Sequence, residues 1–213
     1  DLRGNSGGLL QQALELAGFF LPRGGRSVST EGRAVKDMMY EAPANGPARH
    51  CKLAVLIDEK SASASEIVAG AIQDWDRGVV LGRTSFGKGL VQRQVRLSDG
   101  SAIRITTARY RTPSGRIIQR PYENGNRREY YLDHLRDHPQ ATDSLQTAPA
   151  YRTLHSGRTV YGDGGIRPDI VIAADTAGYT PYYTTLLRNG IVNDYAIDRM
   201  ERERGVMETS YPT

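Results

Sequence analysis

Leu53-Ala54-Val55-Leu56-Ile57-Asp58-Glu59-Lys60-Ser61-Ala62-Ser63-Ala64-Ser65-Glu66-Ile67-Val68-Ala69-Gly70-Ala71-Ile72 carries the pattern that decides the fold. Residues 53–57 are a short continuous apolar run, as in a strand buried on both faces. Residues 58–61 have the chemistry of a turn. Ala64, Ile67, Val68, Ala71 and Ile72 then recur at i, i+3, i+4, i+7 and i+8, one face of a helix packed on a core. A second short strand follows at 79–81. Strand, turn, helix and strand in this order predict an α/β architecture.

Outward from this unit the signals alternate. Leu10, Ala13, Leu14 and Ala17 predict a helix directly after the glycine-rich turn of residues 1–8, ending near the breakers Pro22-Arg23-Gly24-Gly25. Residues 27–47 are polar and mixed, an edge strand or a loop. Residues 90–97 and 102–110 read as two strands joined by Ser98-Asp99-Gly100-Ser101, an antiparallel hairpin. From about 119 to 161 apolar periodicity is lost, which marks an inserted, mostly surface segment. A strand at 170–173 and a helix over 182–203 complete the chain.

At 213 residues the chain fits one domain with an elaborated loop. Hydrophobic residues at 38% and charged residues at 24% describe a folded globular protein. Its apolar runs are far shorter than the roughly 20 residues of a bilayer-spanning helix. The net charge of +4 is spread over 28 basic and 24 acidic residues. No Lys/Arg stripe is interleaved with aromatics, so nucleic acid is not an expected partner. Cys51, the single cysteine, excludes an internal disulfide and a cysteine-based zinc site; its place beside an apolar run predicts a small buried hydrophobe.

Three features carry chemistry. Gly7-Gly8 precedes a helix, where main-chain N–H groups form a cradle for an anion such as a peptide oxyanion. Ser61-Ala62-Ser63-Ala64-Ser65-Glu66-Ile67 lies at a strand-to-helix junction, which exposes a serine hydroxyl on a sharp turn. Ser63 and Glu66 also match a helix-capping box, which accounts for both residues without catalysis. Gly82-Arg83-Thr84-Ser85-Phe86-Gly87-Lys88-Gly89 fits a phosphate loop up to its lysine. The next residue should be Ser or Thr to hold magnesium and is Gly89, and a strand follows where a helix is required. A glycine-flanked lysine entering a strand instead suits a general base for a serine, since burial can hold a lysine neutral. Positions 88 and 92 of a strand face the same side, which puts the Gln92 amide within range to orient the Lys88 amine.

Together these segments resemble the S41 family of serine peptidases, the carboxyl-terminal-processing or tail-specific peptidases of bacteria and plastids. Asp1-Leu2-Arg3-Gly4-Asn5-Ser6-Gly7-Gly8 is similar to the family's Asp-Leu-Arg-x-Asn-x-Gly-Gly. Residues 61–67 resemble its nucleophile motif, and Phe86-Gly87-Lys88-Gly89 its lysine motif. Thr112-Pro113-Ser114-Gly115-Arg116-Ile117-Ile118-Gln119 and Gly165-Ile166-Arg167-Pro168-Asp169 are similar to two later family segments.

The resemblance implies a Ser/Lys dyad. Ser63 would attack the scissile carbonyl, and Lys88 would take its proton and return it to the leaving amine. Gln92 would position Lys88. The N–H of Ala64, with that of Gly7 or Gly8, would form the oxyanion hole, and Glu66 would serve the helix start. It further implies a crotonase/ClpP-like α/β core with a mixed sheet, helices and an antiparallel hairpin. No cofactor or metal is expected. Substrates would be the C-terminal regions of unstructured or tagged proteins, cleaved outside the cytoplasm, in the bacterial periplasm or cell envelope. Residues 1–213 would be one catalytic domain, entered mid-fold, with upstream strands and a substrate-recognising PDZ domain preceding it. Family members run almost directly between the two later segments. Here about forty residues intervene, longer than an ordinary loop. They are a candidate cover for a substrate groove or a packing surface for a second subunit. His134, His138 and His155 lie in or near this insert without metal-ligand spacing. Two alternatives stand beside the peptidase: a peptide-binding fragment of the same fold without turnover, and a nucleotide-binding protein acting through residues 82–88.

Overall fold

Polar residues that break the apolar patterns turn out to organise the core. The computed structural model describes residues 1–33, 35–121, 148–174 and 180–205. Helix α1 (Leu10–Gly18) buries Ala13 and Ala17, one turn apart. Strands β1 (Arg26–Gly32) and β2 (Val35–Glu41) pair antiparallel, so the polar stretch holds two strands where one edge strand or a loop was expected. Its composition hides them because β2 is the outer strand of its sheet, with only Val35 and Tyr40 partly covered among its seven residues.

Strand β3 (Ala54–Ile57) runs parallel to β4 (Val79–Gly82), with helix α2 (Ala64–Asp74) as the crossover. Only Val55 and Ile57 of β3 are buried, so the strand is covered chiefly on one face. Helix α2 goes the other way: every residue from Ser65 to Asp74 is buried. Ala69 and Ile72 pack with Val55, Ile57, Val80, Ile118 and Ile166. Ile67 and Val68 pack with Ala13, Val28 and Tyr110, and Ala71 with Ala17, Leu21 and Ala42. A helix wedged between several apolar clusters needs no solvent face, which is why its single predicted stripe understates it.

Strands β5 (Leu90–Arg96) and β6 (Ala102–Arg111) form the expected hairpin, its turn closed by the Asp99 carboxylate accepting from the N–H and hydroxyl of Ser101. Strand β7 (Ala150–Arg152) pairs antiparallel with β8 (Thr159–Tyr161), and β9 (Ile170–Val171) pairs parallel with β4. The described sheets are β2-β1-β6-β5, β3-β4-β9 and β7-β8, an α/β fold with mixed strand directions. Of the segment 119–161, residues 122–147 and with them His134 and His138 lie outside the described residues. The β7–β8 hairpin buries Thr153 and Val160 and docks at the C-terminal end of α2, where the Asp76 carboxylate receives Ser156 and Arg158.

The two later sequence segments lock this end of α2. Arg116 is fully buried, 2.7 Å from Asp74 and 2.6 Å from the Gln73 amide oxygen. Asp169 accepts from Gln73, from the Val80 N–H and from Arg158, tying α2 to β4. Cys51 is exposed in a turn before β3, not buried as expected; Arg77 donates to its carbonyl. By contacts the chain divides into Asp1–Ala173 and Ala174–Thr213. The second unit holds α3 (Pro181–Arg188) and α4 (Ile191–Arg202) in place of one continuous helix. The break is Gly190, whose φ of 72° lies in the left-handed region. No helix among the described residues is long and apolar enough to cross a membrane.

Candidate active site

Asp58, at the end of β3, builds the platform. One oxygen of its buried carboxylate accepts from the main-chain N–H groups of Gly4, Lys60 and Ser61, at 2.9, 3.0 and 3.1 Å. Burial alone would raise its pKa, but these hydrogen bonds win and hold it below the usual carboxylate range. The opening segment is thereby laid along the turn of residues 61–65. The Ser61 hydroxyl donates to the Leu2 carbonyl at 2.7 Å, and the Ala62 N–H and Ser65 hydroxyl both donate to the Asn5 carbonyl at 3.0 Å.

Ser63 sits at φ 56° and ψ −111°, a backbone state that L-residues rarely adopt. Such strain is a feature of a nucleophile elbow, where a strand must turn sharply into a helix. Gly7 presses against the same turn. A Cβ there would lie 2.5 Å from the Ala62 oxygen, 2.8 Å from the Ala64 nitrogen and 2.9 Å from the Ser63 Cβ, and its φ is +95°. The Gly7 N–H is already committed to Asn5 Oδ1 at 2.9 Å. The N–H groups of Gly8 and Ala64 have no acceptor among the described residues. Of the two glycines, Gly8 is therefore the one with an amide to offer.

Glu66 is wholly buried and acts far beyond the helix start. Its Oε2 accepts from the N–H of Ser63 at 2.7 Å, as a capping box requires, and also from the N–H of Lys88 at 2.9 Å. Its Oε1 accepts from the Ser85 hydroxyl at 2.5 Å and the Gly87 N–H at 2.6 Å. Burial pushes this carboxyl above its ordinary range; the four hydrogen bonds pull it down without cancelling that effect. One side chain thus joins the serine turn to the lysine loop. Ser85, itself buried, extends the link by accepting from the Ile166 N–H.

This arrangement removes the case for a phosphate cradle. The N–H groups of Gly87 and Lys88 point at Glu66, that of Phe86 at the Ser61 carbonyl and that of Gly89 at Gln119 Oε1. The loop already holds an internal carboxylate where a nucleotide phosphate would go. Ser63 and Lys88 are both half-buried; their main chains meet at Glu66, and Gly7, followed by Gly8, lies against the turn of Ser63 and Ala64. No hydrogen bond joins the Ser63 hydroxyl to the Lys88 amine among the described residues. Gln92 is exposed on β5 opposite Thr106, and its side chain makes no hydrogen bond among the described residues. His155 contacts Trp75 with ring centroids 5.3 Å apart and planes tilted by 48°, near the C-terminal end of α2 and away from Ser63 at its start.

Residues 1–123 match peptidase family S41, and the chain belongs to that family. Its relatives are carboxyl-terminal-processing proteases. It is 49% identical over 120 residues to the carboxy-terminal-processing protease of Bartonella bacilliformis, covering 56% of this chain and 27% of that protein. With a probable CtpA-like serine protease of Staphylococcus epidermidis it shares 35% over 158 residues, 74% of this chain and 30% of the relative. Among solved structures, the photosystem II D1 C-terminal processing protease superposes with a TM-score of 0.58 at 29% identity, covering 83% of this chain and 34% of that one. A putative S41 protease of Bacteroides fragilis shares the fold with a TM-score of 0.52 at 14% identity, over 92% of this chain and 44% of that one. The chain spans less than a third of the length of these two curated relatives.

Proposed function

We propose that the chain carries the catalytic centre of a serine peptidase with a Ser63/Lys88 dyad, on a core of the crotonase/ClpP type. The observation that carries this reading is the convergence of the Ser63 and Lys88 main chains on one carboxylate oxygen of Glu66. Lys88 takes the Ser63 proton as Oγ attacks the scissile carbonyl. Charge that develops on the carbonyl oxygen meets the free N–H groups of Ala64 and Gly8. The lysine then gives the proton to the leaving amine, and the peptide bond breaks to leave an acyl-Ser63 ester. Water attacks that ester, yielding a proton to Lys88, and Ser63 recovers its hydroxyl as the acid product departs. Gln92 remains a candidate to orient Lys88 once substrate closes the site. The substrates are C-terminal regions of unstructured or tagged proteins, outside the cytoplasm, in keeping with the processing proteases among its relatives.

Cleavage of an unfolded protein by the chain, beside its Ser63→Ala and Lys88→Ala variants, tests this. Cleavage by the parent alone is the expected result. Equal cleavage by parent and Ser63→Ala would remove Ser63 as the nucleophile. No cleavage by any of the three would favour a peptide-binding piece without turnover.

A further inference from the structure

The β5–β6 hairpin is nearly bare. From Gln92 through Thr106 every residue is exposed. Between Val91 and Gln92 the pairing slips: Val91 faces Ala108 and Gln92 faces Thr106, which leaves Thr107 as a bulge where the arm departs from the core. Beyond it the arm is two-faced. Arg93 pairs with Ile105 and Val95 with Ile103, and Leu97 continues that face; Val95, Leu97, Ile103 and Ile105 are each 42–44% exposed. Gln92 with Thr106, Gln94 with Arg104 and Arg96 with Ala102 make the other, polar face. Arg93, Arg96 and Arg104 form no ion pair among the described residues, and Asp99 is the only acid between 90 and 111.

A two-stranded ribbon with an uncovered apolar stripe is marginal by itself and offers its edge for pairing. The outer strand β5 has a neighbour on one side only among the described residues, and it starts two residues after Lys88. A second copy of β5 is the less favoured occupant, because each arm carries Arg93, Arg96 and Arg104 against one acid, Asp99, so two copies meet as like charges.

We propose that the outer edge of β5 is the docking rail for the substrate polypeptide. The substrate would add as an extended strand whose alternate side chains are apolar and acidic. The apolar set lies beside Val95 and Leu97; the acidic set meets Arg96 and lies one strand away from Arg104, whose long side chain shares that face across Gln94. This rests on the Ser63/Lys88 reading, since the rail leads to Lys88. Val95 to Leu97 lie seven to nine positions past Lys88, so with one substrate residue per strand residue the preferred segment stands about six to nine residues from the scissile bond.

Binding and cleavage separate the two proposals. Two fluorescent peptides share one cleavable centre; one carries an alternating Val/Glu flank, the other a Gly/Ser flank. Their affinities for the uncleaving Ser63→Ala chain are measured by anisotropy, so the rail is tested whether or not the parent cleaves. The Val/Glu peptide is expected to bind roughly tenfold tighter, with the advantage shrinking as salt rises. On the same chain, Arg96→Glu/Arg104→Glu and, separately, Val95→Ser/Leu97→Ser should each bring the affinity ratio toward one. Circular dichroism confirms that each variant is folded, and the two sets act through different chemistry. Equal affinity for the two peptides, or a ratio that neither set alters, overturns the rail. A dimer of the peptide-free chain that these variants dissolve would assign the edge to a second copy and overturn it equally. Loss of cleavage in the parent with the affinity ratio intact would instead count against the Ser63/Lys88 centre alone.

Discussion

Glu66 Oε2 accepts the main-chain N–H of Ser63 and that of Lys88, so two residues far apart in sequence are held by a single oxygen. Glu66→Gln turns an acceptor-only group into one whose amide N–H₂ faces two of the four donors. It should cost about 2–4 kcal/mol in urea unfolding, because buried hydrogen bonds to a charge are lost and one donor pair is opposed. The positioning role has its own signature: at a temperature where the variant is fully folded, kcat should fall by roughly a hundredfold with KM little changed. Parent-like kcat in the folded variant would reduce Glu66 to a stabilising cap.

Gly7 and Gly8 are adjacent and their substitution should differ sharply. Alanine at Gly7 drives a methyl into the Ala62 oxygen and the Ser63 Cβ at a φ of +95°, whereas at Gly8 nothing lies within 4 Å of the added carbon. Gly7→Ala should abolish cleavage and cost more than about 1 kcal/mol. Gly8→Ala should shift stability by no more than about 1 kcal/mol. Thermal melts of the two variants side by side check the contrast.

Asp76 ends α2 at a φ of 50° and carries the β7–β8 hairpin through Ser156 and Arg158. Burial would raise its pKa, but bonds from the Ser156 N–H and hydroxyl and from Arg158 overcome it and hold the carboxyl far below the ordinary 3.8. The folded state therefore binds this proton less readily than the unfolded state. Its stabilisation is complete above that ordinary value and is lost as pH falls through the lower folded value. Asp76→Asn tolerates the same backbone and removes the charge. It should cost about 1–3 kcal/mol at neutral pH. The gap between parent and variant in urea midpoint should close as the solution is taken below pH 3.8.

The elements that announce themselves in sequence are those built on local periodicity. Ala13 and Ala17 mark α1, Ile67, Val68, Ala71 and Ile72 mark α2, and the Ser98–Ser101 turn marks the hairpin between β5 and β6. What stayed hidden depends on partners distant in sequence. Glu66 matches a capping box, and nothing local shows that Ser85, Gly87 and Lys88 will meet the same carboxylate. Gln73 and Asp74 are polar residues at the end of an apolar helix, and nothing local shows that Arg116, about forty residues on, will be buried against both. Asp58 looks like an ordinary turn residue until the Gly4 N–H arrives from the start of the chain. Ser63 and Lys88 stand out in sequence as candidates, Ser63 at a strand-to-helix junction and Lys88 between Gly87 and Gly89 at the entry to a strand. The free amide of Gly8, as against Gly7, required the position of Asn5 Oδ1.

Ser63 also makes a prediction in which stability and function part. Its φ of 56° with ψ −111° is strained for any residue with a Cβ, by about 1–3 kcal/mol. Glycine relieves that strain but adds freedom to the unfolded chain, a cost of about 0.4–1 kcal/mol. Alanine keeps the strain and loses the hydroxyl. Ser63→Gly should therefore be more stable than Ser63→Ala by about 1 kcal/mol, and at least as stable as the parent, while both variants cleave nothing. Urea unfolding of the three proteins measures this directly. If Ser63→Gly is the least stable, the turn is not strained in the parent, and the elbow that presents the hydroxyl is held by something other than the pull of Gly7 and Glu66.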